Sequence, residues 1–391
     1  MLGAFFEGFD FSAVNLALPY ISKDFHIDTQ SAGFMLSVIA LGTLLAFFVV
    51  RLGDRVGRRP VFLWSVVLYS VLSLATAFTP SAALFAAVQF LARVFLVAVW
   101  GVGFIIVAEE FPVEQRGRAS AMFQAAAAVG AIFPSLTLSP MMRLGFGWRG
   151  LYALGALPLV VVFWLGRDFR ETERFEKTRQ AGGERPRFFA VWEKSQRRNM
   201  AIVSALWVLL YVCYVTGQNF FSYHAVNELG WSDARVSLTL ALAYTLGLAG
   251  YYVAGRLMDT IGRKPTAMIF LIGGAVSTVL AFQTVTYLLV TLSVVLSTFF
   301  VGVFTVVGAS FTNELFPTAI RANAMAWGNN IIGRLGQVAA PAIVGLLAGP
   351  LGSVAGAASV TALTPFAAVV LIGFFLPETG QHELVDFVGG A

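Results

Sequence analysis

The chain consists mainly of long apolar stretches joined by short polar connections, and this pattern limits the fold more than any other feature. A helix needs roughly 20 mostly apolar residues to cross a bilayer. Hydrophobic residues make up 58% of the chain and charged residues 12%, whereas soluble domains carry about a quarter charged residues. A soluble core could not bury this much apolar surface, so the sequence predicts an all-α membrane protein. Twelve candidate transmembrane helices are recognisable, at 1–22, 33–53, 61–79, 83–108, 118–141, 150–167, 199–224, 235–257, 266–283, 286–313, 321–348 and 354–377.

One connection is long and highly charged. Residues 168–198 are rich in Arg, Lys and Glu and contain Gly182, Gly183 and Pro186. This composition is typical of a solvated linker. It predicts an N-terminal six-helix bundle at 1–167, a cytoplasmic linker at 168–198 and a C-terminal six-helix bundle at 199–391.

The basic residues are distributed unequally between the two sides of the membrane. If the N-terminus lies in the cytoplasm, the cytoplasmic loops hold 20 of the 26 Lys and Arg residues, the outer loops hold four, and two lie within spans. Positive charge favours the cytoplasmic side of a membrane. The pattern therefore predicts a multi-pass protein of the cell membrane with both termini in the cytoplasm. It also explains the net charge of +5 without a nucleic-acid partner.

Two motifs recur at one constant spacing. The run Arg51–Pro60 returns, with changes, as Arg256–Pro265, and Glu109 with Arg116 returns as Glu314 with Arg321. Both recurrences have an offset of 205, which predicts a duplicated six-helix unit. Parallel repeats of this kind form the two halves of one class of transporter, around a central site.

The charges within the predicted spans are candidates for function. A charged residue at mid-membrane costs about 2.5–3.5 kcal/mol on insertion scales. Asp10 and Arg93 lie about eleven and ten residues from the outer ends of their helices, and at 1.5 Å per residue their depths match. We expect an ion pair that protonation of Asp10 would break, with Glu7 one turn away. The alternative is an ion pair that only holds the bundle together.

The repeated loop carries a family resemblance. Gly53, Asp54, Arg55, Gly57, Arg58 and Arg59 resemble the signature loop between helices 2 and 3 of the Major Facilitator Superfamily. The resemblance extends over nearly the whole chain, to the closing Pro377-Glu378-Thr379. Glycine would let two helices approach closely, and Arg58 and Arg116 could bridge to Glu109 or Glu110. In the family such a network is thought to latch the cytoplasmic side shut. The expected gating residues are Gly53, Asp54, Arg58, Glu109 and Arg116, with Asp259, Arg263, Glu314 and Arg321 in the second repeat. Plain positive-inside charge is the alternative.

Helices 1 and 4 resemble those of proton-coupled sugar and metabolite porters. The matching residues are Gly8-Phe9-Asp10 with Leu18-Pro19, and Ala92-Arg93 with Gly101-Val102-Gly103. The resemblance implies that Asp10 carries the proton and that Arg93 pairs with it.

Arg334 lies near the middle of helix 11. Gly333-Arg334-Leu335-Gly336 with Pro341 resembles this helix in bacterial aromatic-acid proton symporters and organic-ion transporters, where the Arg is linked to anionic substrates. The repeat places Val129 opposite Arg334, so the charge is not a remnant of the duplication. The alternative is an Arg satisfied by carbonyls or a polar neighbour in the bundle.

Helix 7 resembles that of sugar porters in part. Gly217, Asn219 and Tyr223 match, with Gln218 between the first two, as does Gln124 in helix 5. However, Cys213 and Tyr214 stand where sugar porters carry paired glutamines, and Ala309 replaces their helix-10 tryptophan. Since a sugar needs many hydrogen bonds, these departures disfavour a hexose. Tyr214, Tyr223 and other aromatic residues nearby could line a pocket for a planar substrate, although such residues also pack in bundle interiors.

Other classes of function lack support. The sequence has no metalloprotease or nucleophile-elbow motif, and its three histidines lie far apart, so we expect no enzyme, metal site or cofactor. Helix 5 lacks the Gly-x-x-x-Gly-Pro signature of drug–proton antiporters. We therefore predict a monomeric secondary transporter that couples proton entry to uptake of a small organic anion. A proton-coupled sugar or polyol symporter is the alternative, and a receptor on the same scaffold stays possible.

Overall fold

The computed structural model describes residues 1–165, 171 and 188–378, and within these ranges the chain is helical with short connections and no strand. The first group of helices is α1 (Leu2–Asp24), α2 (Thr29–Val56), α3 (Arg58–Thr76), α4 (Ala82–Glu110), α5 (Val113–Arg143), α6 (Arg149–Leu154) and α7 (Leu157–Leu165). A 3-10 turn (Ala190–Trp192) precedes α8 (Arg197–Asn227), α9 (Asp233–Thr260), α10 (Arg263–Gln283), α11 (Tyr287–Val301), α12 (Phe304–Leu315) and α13 (Thr318–Met325). A π-helix (Ala326–Gly333) then leads into α14 (Arg334–Ala348), which is followed by α15 (Val354–Thr361) and α16 (Thr364–Phe375).

The predicted all-α membrane fold is confirmed. In the described ranges, ten helical segments are long and apolar enough to cross a bilayer. The first predicted span is a helix of 23 residues that carries three carboxylates, Glu7 and Asp10 within it and Asp24 at its end. The sixth predicted span is interrupted by a turn at Gly155 and Ala156, and so forms two short helices.

Large apolar side chains cover much of the outer surface. Trp64, Trp164 and Phe374, for example, are 66%, 76% and 83% exposed. Soluble monomers rarely expose extended apolar surface, so this distribution suits a chain surrounded by lipid.

The chain folds into two compact units. The N-terminal unit comprises Met1–Glu184 and Ala225–Ala241, and the C-terminal unit comprises Arg185–His224 and Leu242–Ala391. The predicted division into bundles at 1–167 and 199–391 stays a prediction, because most of the proposed linker lies outside the described residues.

A short loop joins α2 to α3 in the N-terminal unit, and the matching loop joins α9 to α10 in the C-terminal unit. Each turns on one glycine, Gly57 with φ +118° and Gly262 with φ +99°. Glycine adopts positive φ without the steric penalty that a Cβ imposes. We call the end of each unit that carries this loop its basic end, and the other its opposite end.

Helix α1 packs tightly against α5 in the N-terminal unit. A Cβ at Gly8 would collide with the backbone carbonyl of Ala127, and a Cβ at Gly130 would collide with that of Phe5. Since neither position has room for a larger residue, the two backbones touch along this seam. The contact fixes the rotation of α1 about its axis and therefore the direction in which Asp10 projects.

Candidate functional site

Asp10 and Arg93 form an ion pair inside the N-terminal unit. Arg93 Nη2 lies 3.1 Å from Asp10 Oδ2, and the two side chains are 5% and 1% exposed. Arg93 also lies over the ring of Phe11, at 5.9 Å from the centroid. The structure thus brings together two residues that the sequence placed at equal depth, and Glu7 lies half-buried one helical turn from Asp10. Their part in proton coupling stays a prediction.

The pair is held in surroundings of low dielectric, where both side chains are almost fully buried. Two opposite charges in a medium of low dielectric attract each other far more strongly than in water. Removing one partner of such a pair leaves an uncompensated buried charge, which typically costs 3–5 kcal/mol. Protonation of Asp10 would have this effect on Arg93, so a single proton could change which conformation of the unit is favoured.

Arg334 begins α14, directly after the π-helix, in the C-terminal unit. Its Nη1 donates to Gln337 Oε1 at 2.8 Å, and its guanidinium lies 5.3 Å from the ring centroid of Tyr211. Among the described residues no carboxylate lies within ion-pair distance of it. The alternative prediction was an Arg satisfied by carbonyls or by a polar neighbour. The polar neighbour found among the described residues is the neutral amide of Gln337. Within the described ranges, no carboxylate pairs with its positive charge.

Tyr211 is held in place by the π-helix. Its hydroxyl donates to Asn329 Oδ1 at 2.8 Å, and its ring contacts Phe304 at a centroid distance of 5.1 Å. π-Helical turns are rare and occur frequently at functional sites. Here the wider turn brings Asn329 and Arg334 to the same tyrosine.

The predicted residues of helix 7 occupy different environments. Tyr214 stacks on Phe304 at 4.4 Å and so joins the aromatic group beside Arg334, whereas the Gln218 Oε1 accepts a hydrogen bond from the Tyr244 hydroxyl at 2.8 Å. Asn219 is buried and Tyr223 is half-buried. Gln124 belongs to the N-terminal unit and is exposed.

The basic ends of the two units carry matching networks. In the N-terminal unit, Arg58 Nη1 donates to Asp54 Oδ1 at 2.7 Å and Nη2 donates to Glu109 Oε1 at 3.1 Å. In the C-terminal unit, Arg263 Nε donates to Glu314 Oε1 at 3.0 Å. Its Nη1 is 3.6 Å from Asp259 Oδ1.

The expected network also included Gly53, Arg321 and Arg116. Gly53 is buried, and a Cβ there would lie 3.9 Å from Val102, an ordinary contact; its part in gating stays a prediction. Arg321 Nε donates to the carbonyl of Phe316 at 3.4 Å. The side chain of Arg116 lies outside the described part of the structure.

Two glutamates that complete these networks were not predicted to do so. Glu171 was missed, and Glu378 was named only as part of the family resemblance. Glu171 accepts hydrogen bonds from the backbone N–H groups of Arg58 and Arg59, at 3.0 and 3.2 Å. Glu378 does the same for Arg263 and Lys264, at 2.8 and 2.9 Å. Each glutamate therefore caps a helix N-terminus, where negative charge is stabilising. Their spacing is 207 residues rather than 205, so a search at constant offset does not pair them.

Comparison with known proteins agrees with this arrangement. The family model described as Major Facilitator Superfamily matches residues 1–226 and 219–387, which together include both loops and the intramembrane charges. The chain belongs to the Major Facilitator Superfamily. It is therefore a multi-pass membrane transporter and not an enzyme.

Relatives within the superfamily align with most of the chain. A cis,cis-muconate transport protein of Acinetobacter baylyi is 27% identical over 358 residues, covering 88% of this chain and 84% of the relative. A niacin transporter of the same organism is 24% identical over 374 residues, covering 88% and 84%. An inward-open structure of the xylose transporter XylE from E. coli superposes with a TM-score of 0.78 at 17% identity, covering 98% of this chain and 96% of that one. At this identity the superposition shows the fold alone.

The sequence did contain a signal for part of the Arg334 site. Asn329 and Asn330 are adjacent amides in an otherwise apolar span, five and four residues before Arg334, and Gln337 follows three residues after it. Polar residues in membrane helices tend to face the bundle interior, so this cluster could have been predicted. The contacts that Tyr211 makes with both Asn329 and Arg334 could not have been predicted from the sequence of this Major Facilitator chain.

Proposed function

We propose that this transporter takes up a small organic anion, a carboxylate, together with protons, by alternating access. The observation that carries the proposal is the charge of Arg334. It lies in a membrane-spanning segment, is only partly buried, and has a neutral amide and a tyrosine ring as its neighbours. An intramembrane cation without a balancing carboxylate is suited to binding an anion that arrives from outside.

The geometry of the site suits a carboxylate on a planar body. A guanidinium has five N–H donors in a rigid fork, and one hydrogen bond to Gln337 leaves most of them for two carboxylate oxygens. Tyr211, Tyr214 and Phe304 form a group of rings at centroid distances of 4.4 and 5.1 Å. Rings in such a group can stack on the apolar part of an aromatic or conjugated acid.

The relatives support the choice of substrate class. Muconate and niacin, which two of them are named for, are both carboxylic acids with a planar unsaturated body. A site that offers one guanidinium and several aromatic rings fits this shape.

The Asp10–Arg93 pair is the element that we assign to the proton. A carboxylate that is buried at 1% exposure beside a cation changes its interaction with that cation when it gains a proton. In this scheme the outside-facing state loads a proton and the inside-facing state releases it. The networks around Arg58 and Arg263 then serve as gates.

The orientation follows from the charge distribution. We place both basic ends, the predicted linker and both termini in the cytoplasm, because 20 of the 26 basic residues lie in loops on that side. The membrane is then the cell membrane, and the protein works there as a monomer.

A sugar or polyol is the second candidate, and the polar residues of α8 favour it. Gln218 and Asn219 place two amides within a membrane-spanning helix, and amides are suitable partners for hydroxyl groups. This candidate assigns no ligand to Arg334.

Binding to the purified wild-type protein decides between the two. A ligand that binds only the folded state raises the thermal midpoint by mass action. We expect muconate or nicotinate to raise it and the neutral nicotinamide and xylose to do so much less. A rise with xylose and none with any acid would replace the anion proposal by the sugar proposal.

Uptake into proteoliposomes tests the coupling. We expect an acid that binds to accumulate when the outside is made more acidic than the inside. With a proton ionophore present, accumulation should fall to equilibration. Accumulation that ignores the pH gradient would contradict proton coupling while leaving the choice of substrate open.

A further inference from the structure

The interior of the N-terminal unit holds two tyrosines near the Asp10–Arg93 pair. Tyr69 in α3 and Tyr152 in α6 are 1% and 0% exposed. Both lie within electrostatic range of Asp10 and Arg93, and of each other. Helices α1, α3, α4 and α6 thus each direct an ionisable side chain into one buried region.

This region continues as a polar row toward the opposite end of the unit. Tyr69, Ser73 and Thr76 are spaced i, i+4 and i+7 on one face of α3, and Gln89 and Arg93 are spaced i and i+4 on α4. Gln89 Nε2 donates to Thr76 Oγ1 at 2.9 Å. Contact between these two residues shows that the two polar faces meet.

Several buried polar atoms of this row have no hydrogen-bond partner among the described residues. They are the Tyr152 hydroxyl, Gln89 Oε1 and Asp10 Oδ1. The Tyr69 hydroxyl lies beside Ser73 Oγ, which can accept from it while its own proton is donated to the carbonyl of Tyr152 at 2.9 Å. Buried polar groups in folded proteins are nearly always paired, with protein or with ordered water. A site that gathers several unpaired groups is therefore one that binds water.

The other unit shows that the fold does not require this polarity. At an offset of 205, Asp10, Tyr69, Gln89, Arg93 and Tyr152 correspond to Val215, Gly274, Val294, Thr298 and Ala357. Gly274 corresponds to Tyr69. It lines a small cavity in the C-terminal unit, whose apolar walls include Leu210, Leu271 and Phe304. Walls of this kind offer water few hydrogen-bond partners.

Aromatic rings cover the polar row at the opposite end. Phe25, Phe85 and Trp148 contact one another at centroid distances of 5.6 to 6.0 Å, and Tyr152 contacts both Phe85 and Trp148. Outside this cover lies the Asp24–Arg149 ion pair. These rings separate the polar row from the surface at that end of the unit.

We propose that the N-terminal unit binds a cluster of internal water molecules between Asp10, Tyr69, Tyr152 and Gln89, and that this water exchanges the proton with Asp10. In loading, a hydrated proton passes one proton to Asp10 Oδ1 and leaves neutral water; in release, the same water accepts it. The second part rests on the proton coupling proposed above. The binding of water does not.

The groups that face Asp10 are consistent with this role. Arg93 approaches from α4, Tyr69 from α3 and Tyr152 from α6, and Glu7 lies on α1 itself. Helix α5, which packs on α1, has no titratable side chain between Arg118 and Arg143. Tyrosine hydroxyls stay protonated at neutral pH, so they can donate to the carboxylate and accept from water without competing for its charge.

Radiolytic labelling of the purified transporter tests the water site without any transport measurement. A short X-ray pulse makes hydroxyl radicals from bound water, and buried side chains beside that water are modified. We expect Tyr69 and Tyr152 to be labelled several-fold faster than Phe220 and Phe311, which are equally buried at 0% exposure in the C-terminal unit. Each rate is divided by the rate in the unfolded protein. Equal normalised rates at all four positions would overturn the proposal.

A double substitution tests the proton role. Tyr69→Phe with Tyr152→Phe removes two hydroxyls and keeps the rings, and we expect proton-driven uptake to slow by about ten-fold or more while substrate exchange at equal pH is retained. Tyr252→Phe, at an exposed position in α9, is the matched control and should change neither. Unchanged proton-driven uptake in the double variant would overturn the proton role. If Asp10→Asn still accumulates substrate, the coupling itself is wrong, and the labelling rates alone then decide whether water is bound.

Discussion

The basic ends of the two units use the same side chains, Asp54, Arg58 and Glu109 in one and Asp259, Arg263 and Glu314 in the other. The charged residues of their interiors differ. The N-terminal unit buries the Asp10–Arg93 pair, and the repeat replaces it by Val215 and Thr298. The C-terminal unit presents Arg334, and the repeat replaces it by Val129. The two halves of the duplication keep the same loop residues and carry a different charge in each interior.

The likeness of the basic ends is not complete. Arg58 binds Asp54 at 2.7 Å, while Arg263 lies 3.6 Å from Asp259, which is 78% exposed, and Nη1 of Arg263 donates instead to the carbonyl of Met258 at 2.8 Å. Well-exposed ion pairs contribute little, about 0–1 kcal/mol. The network in the N-terminal unit should therefore be the stronger of the two. The following predictions test the comparison, beginning with the largest effect.

Asp10→Asn should abolish proton-driven accumulation while retaining substrate exchange, because Asn keeps the size of Asp but cannot carry a proton. Uptake with and without an imposed pH gradient measures this. Asp24→Asn, a matched change in the same helix at an exposed ion pair, should keep its accumulation. If the Asp10 variant accumulated substrate normally, the interior of the N-terminal unit would have no part in coupling.

Arg334→Ala should weaken the binding of the acid by about ten- to a hundred-fold. A charge-assisted hydrogen bond is worth roughly 1.5–3 kcal/mol, and 1.4 kcal/mol corresponds to a factor of ten. Arg334→Lys should lie between, since it keeps the charge and loses the fork. Titration of an acid and its amide on each variant measures the effect, with the exposed Arg143→Ala as control. Equal losses for acid and amide would argue against a role for the charge.

Asp54→Asn and Arg58→Ala should lower turnover several-fold and leave substrate affinity largely intact, because they lie at the basic end of the unit. Asp259→Asn should lower it less, because its ion pair with Arg263 is longer and more exposed. Transport rates and binding constants measured on the same preparations separate the two quantities. A larger effect at Asp259 than at Asp54 would reverse the ranking of the two networks, and a parallel loss of affinity would exclude a gating role.

Glu171→Gln and Glu378→Gln should have the smallest effects. Each glutamate accepts hydrogen bonds from two backbone N–H groups at a helix N-terminus, and a neutral amide retains one good acceptor oxygen. Loss of a cap typically costs about 1 kcal/mol, so we expect a modest decrease in the thermal midpoint. The exposed Glu193→Gln should leave the midpoint unchanged. Similar decreases in both cap variants would support the equivalence of the two basic ends.

The sequence by itself determined the class of the protein and the pairing of Asp10 with Arg93. Hydropathy shows where helices cross the membrane, because only about 20 apolar residues span it, and the constant rise of a helix places Asp10 and Arg93 at one depth. The offset of 205 revealed the duplication, and so the contrast between Arg334 and Val129. These inferences depend on position along a helix axis, which counting residues gives directly.

The tertiary structure decided how the helices are rotated and where they are interrupted. Hydropathy does not indicate that residues 326–333 form a π-helix, that Tyr211 therefore meets both Asn329 and Arg334, or that Tyr69 and Tyr152 share a buried region with Asp10. It also does not show that Glu171 and Glu378 do the same task at an offset of 207. Each of these contacts depends on the angle of a side chain about its helix axis and on hydrogen-bond register, and both are set by packing against neighbours distant in sequence, as the Gly8–Ala127 and Gly130–Phe5 contacts set them for α1.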